Sequence, residues 1–395
     1  SSSFEDHLPA LVASGAVPIK TVDEAVANLL RVKFRLGLFD DAARDRGRDD
    51  TLLAEEFLED ARAAARESVV MLKNDGTLPL AAPADGARPL TVAVIGPLAD
   101  APHEQLGTWT FDSRKETTVT PLAALRERLG AERVLYAPGL ANSRSRDSSL
   151  FGAAEDVARA ADAVLFFGGE EAILSGEAHS RADLRLPGAQ EALIERLAAL
   201  GKPLVLTVIS GRPNTLEAVL ESASAILIAW HPGTMGGPAI VDLLMGDGGH
   251  SPSGRLPVTW PISAGQVPIY YNHKNTGRPA PPPEELRTLD EIPEGAWQSS
   301  LSNTSRYLDI GALPRFPFGF GLTYGDFRYR DLKVEPAKVP ADGAVTVRFV
   351  LENAGERRAT EVAQLYSRDV VGRLTPPLRE LRDWRRVSLE PVETR

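Results

Sequence analysis

Five short, almost unbroken apolar runs recur between residues 90 and 260: Thr91–Ile95, Val134–Tyr136, Ala163–Phe167, Leu204–Ile209 and Ala225–Trp230. Stretches with helical spacing lie among them, at Pro121–Leu129, Ala153–Ala161, Ala189–Leu200, Asn214–Ser222 and Pro238–Met245. A strand that is apolar on both faces needs cover on both faces. Parallel sheets flanked by helices supply that cover. The pattern therefore predicts a doubly wound α/β sandwich over 90–262. In such sheets ligands sit beyond the carboxyl ends of the strands.

The flanks read differently. Residues 1–45 look like the tail of a helical element. Thr21-Val22-Asp23-Glu24 has the form of a capping box. Val22, Ala25, Val26, Leu29, Leu30 and Leu36 follow at helical spacing, and Gly37 is placed to end the helix. So few residues cannot build a core alone, so this segment is expected to pack on something preceding Ser1. A second helix is expected over Leu52–Leu72 with its stop at Asn74-Asp75-Gly76, and 46–89 as a whole reads as a helical linker. Residues 263–326 form a long loop and linker, with Pro279-Ala280-Pro281-Pro282-Pro283 in polar sequence. From Phe327 the helical period gives way to alternation, visible in Val345–Leu351 and Val362–Tyr366. That predicts an antiparallel β-sandwich over 327–395, with room for only part of the usual strands.

Net charge is −10 over 395 residues, with no basic run, so nucleic acid is not an expected partner. No apolar stretch approaches the roughly 18 residues of a membrane helix, and no membrane partner is expected. The chain contains no cysteine, which excludes disulfides, thiolate metal sites and cysteine nucleophiles. The start, Ser1-Ser2-Ser3-Phe4-Glu5, has neither Met nor an export signal. Both ends are expected to be cuts through a longer protein, located in the periplasm or outside the cell rather than in the cytoplasm. The residues leave oligomeric state open, a homodimer included.

Nucleotide chemistry finds little support. Gly96-Pro97-Leu98-Ala99-Asp100 is not a dinucleotide fingerprint, and Gly168-Gly169-Glu170 lacks a following Lys-Ser/Thr. The six histidines show no HExxH spacing, and Ser210 lacks the glycines of a nucleophile elbow. No cofactor or metal is expected. Carboxylates remain: Glu170, Glu171, Glu177 and Asp183 all follow the Ala163–Phe167 run. A solvated, charged loop is the ordinary reading of any one of them. Glu177 stands out because Gly176 lets the chain turn beside it, and because His179 and Arg181 follow closely. A carboxyl there, screened from water by a docked surface, has the setting that raises a pKa toward general-acid range.

Several ordered motifs resemble glycoside hydrolase family 3, the β-glucosidases and their relatives. VANLLRVKFRLGLF (Val26 to Phe39) resembles the segment closing the family's N-terminal (β/α)8-type barrel. ESVVMLKNDGTLPL (Glu67 to Leu80) resembles its linker. Val94-Ile95-Gly96-Pro97 and Gly107-Thr108-Trp109 resemble the opening of its α/β sandwich. GTMGGPAI (Gly233 to Ile240), Asp242 to Gly246 and GRLPVTW (Gly254 to Trp260) resemble its close. FPFGFGLTY (Phe316 to Tyr324) resembles the entry to a fibronectin-III-like domain. The resemblance implies a multi-domain chain, α/β plus all-β: the helical tail of a barrel, a doubly wound α/β sandwich and a C-terminal fibronectin-III-like β-sandwich.

It also implies a retaining exo-β-glucosidase acting on short oligosaccharides or aryl glucosides. In the family an aspartate of the barrel is the nucleophile and a glutamate of the sandwich is the acid/base. The matching position here is Glu177, with Glu170 as its rival. The two carboxyls of such a pair stand about 5–5.5 Å apart. The barrel motif with the nucleophile is missing from this stretch, so the barrel domain of the same protein is an implied partner. β-Xylosidase and N-acetylglucosaminidase activities of the same family stay open, as does a non-catalytic carbohydrate-binding or assembly module. His179, Arg181 and Trp109 are candidates for the leaving-group side. For His179 a local structural pairing weighs equally, and for Trp109 a buried core position weighs more than a sugar platform. Trp230-His231-Pro232 is expected on the same sheet edge as Glu177. Tyr271, in YYNHKNTGR (Tyr270 to Arg278), is a candidate for the site rim, or else part of a turn against the last domain.

Overall fold

The structure is a computed structural model that describes residues 2–43, 52–82, 88–301, 303–340 and 342–395. The part of the expected 46–89 linker at 46–51 and 83–87 lies outside the described residues. The chain divides into two compact units, Ser1–Phe57 and Leu58–Arg395.

The first unit contains α1 (Ser3–Ala13) and α2 (Ile19–Arg35). The capping box expected at Thr21 is not formed. Pro18, extended and fixed in φ, starts α2 at Ile19, and the Thr21 amide donates to the Pro18 carbonyl at 2.9 Å. Val26, Leu29, Leu30 and Phe34 leave an apolar stripe of α2 exposed.

In the second unit the expected Leu52–Leu72 helix is shorter: α3 covers Glu55–Ser68. The chain then extends as β1 (Val70–Asn74), which pairs antiparallel with β6 (Ala225–Trp230), Val70 opposite Ile228 and Asn74 opposite Ala225. The buried run Val70 to Leu72 belongs to the sheet, where its apolar side chains on both faces find cover. The other strands are β2 (Val92–Ile95), β3 (Val134–Ala137), β4 (Ala163–Gly169) and β5 (Leu204–Ile209). The sheet order is β1-β6-β5-β4-β2-β3, with every neighbouring pair except β1 and β6 parallel.

Five helices accompany it: α4 (Pro102–Leu106), α5 (Pro121–Leu129), α6 (Phe151–Arg159), α7 (Gln190–Ala198) and α8 (Gly236–Met245). Alternate strand residues separate two cores. Ala93, Val164, Phe166 and Leu206 meet Phe151 of α6 and Ile194 of α7 on one face. Val92, Leu165, Phe167 and Val205 meet Leu125 of α5 and Leu244 of α8 on the other. The sandwich is therefore covered on both faces, as its apolar strands require. The helix expected over Asn214–Ser222 does not form. Thr215 is drawn into a bridge with Arg185 and its amide donates to the Leu184 carbonyl, which leaves only turns through Ser222.

Arg62 and Arg66 of α3 both donate to Asp242 of α8, at 2.8 Å each. Among the described residues of 262–315 there is neither α-helix nor extended strand, only short helical turns such as Ala264–Gln266. Beyond it β7 (Phe327–Glu335) pairs antiparallel with β8 (Thr346–Asn353), and β9 (Ala359–Ser367) with β10 (Glu380–Leu389), giving two two-stranded sheets.

Candidate active site

Because β2, β4, β5 and β6 run parallel, their carboxyl ends share one edge. The loops that leave it converge. Gly107, after β2 and α4, lies against the His231 ring that follows β6. Thr108 packs on Gly176 in the loop after β4, and Gly211, after β5, sits beside Ser175 Oγ and His231 Nε2. Close approach is built into β4 itself: Gly169 has φ of 129°, and a Cβ there would lie 2.0 Å from the Ile209 carbonyl oxygen.

Glu170, the next residue, is fully buried. Its Oε1 accepts from Arg181 Nη1 and from Asn214 Nδ2 at 2.9 Å, and its Oε2 accepts from Arg212 Nε at 2.8 Å. A buried carboxylate needs this much compensation. With both oxygens filled and no exposed surface, Glu170 is a structural anchor in this arrangement. Glu171 is also committed, accepting from Ser143 Oγ at 2.6 Å and from Arg144 Nε at 3.0 Å. Burial alone would raise its pKa, but those hydrogen bonds bring it below the usual carboxylate value. Asp183 is held at about 2 by the hydrogen bonds from Arg185.

Glu177 differs from all three. It is exposed, and among the described residues no hydrogen bond or ion pair reaches its carboxylate. The His179 amide donates to the Gly176 carbonyl at 3.2 Å and closes a turn with Glu177 at its second position. Gly176 at φ 116° and Ala178 at φ 63° bracket it, so the turn takes left-handed backbone on both sides of the acid.

The remaining expected residues divide. His179 is exposed on the same turn, with Nδ1 3.2 Å from the Ser175 carbonyl. Arg181 donates to Glu170 and to the Arg185 carbonyl. Trp109 is not a core residue. It is 63 % exposed, and Phe111 of the same loop is more exposed still. Tyr271 is a packing residue: its ring stacks on Phe318 at 4.2 Å and meets Tyr366 edge-on, and its hydroxyl accepts from the Leu381 amide. Trp230 and His231 stand on the expected edge. His231 Nδ1 lies 3.3 Å from the Glu104 carbonyl, while its buried Nε2 has no hydrogen-bond partner among the described residues. Burial lowers its pKa, so the ring is kept neutral.

Arg212 and Asn214 were not picked out from the sequence. Their signal was available: Gly211-Arg212-Pro213-Asn214 follows β5 at the edge where β4 delivers its acids.

Comparison with known proteins agrees with this architecture. A family profile described as the glycosyl hydrolase family 3 C-terminal domain matches residues 69–324, and one described as a fibronectin type III-like domain matches 361–395. A periplasmic β-glucosidase of Salmonella typhimurium is 35 % identical over 99 % of this chain and 52 % of its own length. A β-xylosidase of Formosa agariphila is 32 % identical over 95 % of the chain and 49 % of its own length. The crystal structure of a β-glucosidase from Listeria innocua in complex with gluconolactone superposes with a TM-score of 0.84 at 32 % identity, covering 100 % of this chain and 51 % of that one. The chain thus spans about half the length of the relatives it matches.

Proposed function

The chain belongs to glycoside hydrolase family 3, and from that membership we propose that it carries the acid/base side of a retaining exo-β-glucosidase site, with Glu177 as the acid/base. The observation that carries this reading is the contrast among the four acids after β4. Glu170, Glu171 and Asp183 are all tied to arginines, while Glu177, at the sheet edge where ligands bind, has no ion-pair partner among the described residues. An acid/base must give a proton to the leaving oxygen and later take one from water. A carboxylate neutralised by two guanidiniums does neither readily.

In this reading the nucleophile is an aspartate of a barrel domain of the same protein, outside these residues. Residues 1–45 are the tail of that barrel, 46–89 its linker, 90–262 the sandwich that carries Glu177, and 327–395 the fibronectin-III-like part. Terminal β-D-glucosyl residues are the favoured substrate, because the relative at 35 % identity is named a β-glucosidase. The Formosa agariphila relative keeps β-xylosides as a second reading. The Salmonella typhimurium name also favours a periplasmic location.

The test is Glu177→Gln in the full-length protein that contains this chain. Hydrolysis of cellobiose should fall by roughly 10²-fold or more, and that of dinitrophenyl glucoside, which hardly needs protonation, far less. Near-normal turnover of cellobiose would sink the assignment. Comparing kcat/KM for nitrophenyl β-glucoside and β-xyloside decides between the sugars. The 395-residue chain alone should turn over neither; turnover would place a nucleophile within it.

A further inference from the structure

Among the described residues nothing hydrogen-bonds or pairs with the Glu177 carboxylate, so its position depends on its loop. Its loop, Leu174 to His179, includes the strained Ala178 and the glycine before the acid. Among the described residues only one side chain from outside this loop hydrogen-bonds its backbone, and that is Arg212. Arg212 Nη2 donates to the carbonyls at both ends of the loop, Leu174 and, at 2.9 Å, His179. Its Nε donates to Glu170 Oε2 at 2.8 Å. A single guanidinium therefore clamps the two ends of the turn and fastens them to a buried carboxylate at the end of β4. The rigid planar fork of arginine suits this task, and a lysine ammonium does not reproduce it.

The anchor below is itself fixed. Glu170 is fully buried, its amide donates to the Ile209 carbonyl at 2.9 Å, and Arg181 and Asn214 fill its other oxygen. Arg212 springs from the end of β5, where its amide donates to Ser210 Oγ at 3.2 Å. Both roots of the clamp thus lie just beyond the ends of β4 and β5. On the far side of the loop, Thr108 packs against Gly176.

We infer that Arg212 is a positioning residue for the acid/base: by pinning Leu174 and His179 to the Glu170 anchor it sets where the Glu177 carboxyl stands relative to the leaving oxygen. The inference rests on the reading of Glu177 as acid/base. It predicts a defect that depends on the leaving group. A misplaced acid harms the substrates that need a proton and spares those that do not.

The experiment uses the full-length protein and a series of aryl β-glucosides from dinitrophenyl to phenyl, with cellobiose added. Arg212→Lys keeps a charge against Glu170 but cannot span both carbonyls. It should leave dinitrophenyl glucoside hydrolysis within about threefold while lowering phenyl glucoside and cellobiose hydrolysis by roughly 10²-fold in kcat. Arg212→Gln should show the same slope more strongly. Combining either with Glu177→Gln should add little for poor leaving groups. A uniform loss across the series, an unchanged series, losses that multiply in the double variant, or failure of both variants to fold would each overturn the inference and leave Arg212 as a fold residue. Glu177→Gln alone separates the two readings: if its own effect ignores the leaving group, the acid/base reading fails whatever Arg212 does.

Discussion

The indole nitrogen of Trp260 donates to the backbone carbonyl of Asn214 at 2.8 Å, and the Asn214 side chain in turn donates to Glu170. Trp260 is fully buried against Trp230, with ring centroids 6.2 Å apart. One hydrogen bond therefore joins the apolar core beneath the sheet edge to the ion cluster above it. Trp260→Phe keeps most of the apolar contact and orphans a buried carbonyl. The cost should be about 1–3 kcal/mol, read as a lowered urea midpoint of the second unit. An unchanged midpoint would mean that water replaces the indole without loss.

Glu170 and Glu177 should separate cleanly in stability. Glu170→Gln leaves Arg181 and Arg212 facing a neutral amide inside the protein. Breaking a buried pair in this way costs about 3–5 kcal/mol. Glu177→Gln neutralises a carboxylate that has no partner among the described residues, so its effect should stay within about 0.5 kcal/mol. Thermal melts of the two variants check this directly, and equal destabilisation would contradict the roles assigned to them.

The sheet was legible because its parallel strands are buried on both faces and so appear as apolar runs; Leu204–Ile209 and Ala225–Trp230 coincide with β5 and β6. β1 was hidden because Val69 to Leu72 follows α3 without a breaker, and local pattern extends the helix through it. The helix misread at Asn214 failed for a tertiary reason: the Thr215 amide is claimed by the Leu184 carbonyl and the Asn214 side chain by Glu170. The loop bearing Glu177 was legible as a cluster of acids. Which acids are neutralised was not, since the arginines that decide it come from several loops. Trp109 was expected more in the core than at the surface and is exposed, while of the two readings open for Tyr271 its contacts with Tyr366 and Leu381 match the turn against the last domain; aromatic identity alone does not tell which ring finds a partner.

Stability should fall with acid through His231. Its native pKa is depressed by burial. Above about 6.5 the ring is neutral in both states and contributes no pH dependence. As pH drops through that value the unfolded chain takes up a proton that the native ring resists, so stability declines until the native pKa is passed. His250, also depressed by burial, acts in the same direction. His231→Gln should flatten part of the fall in melting temperature between pH 7 and 5. A profile identical to that of the parent would show that His231 is protonated as easily folded as unfolded.

Trp109 offers the last contrast. Its ring is largely exposed, and Thr108, next to it in sequence, packs on Gly176 in the turn that carries Glu177. An exposed indole loses little packing on truncation, so Trp109→Ala should leave the melting temperature nearly unchanged. If the ring stacks on a leaving-group sugar, its removal should raise KM for cellobiose about tenfold in the full-length protein, equivalent to about 1.4 kcal/mol of lost binding. Trp109→Phe, which keeps an aromatic face, should recover most of that loss. Unchanged KM in Trp109→Ala would make the exposed ring a surface feature without a part in substrate binding.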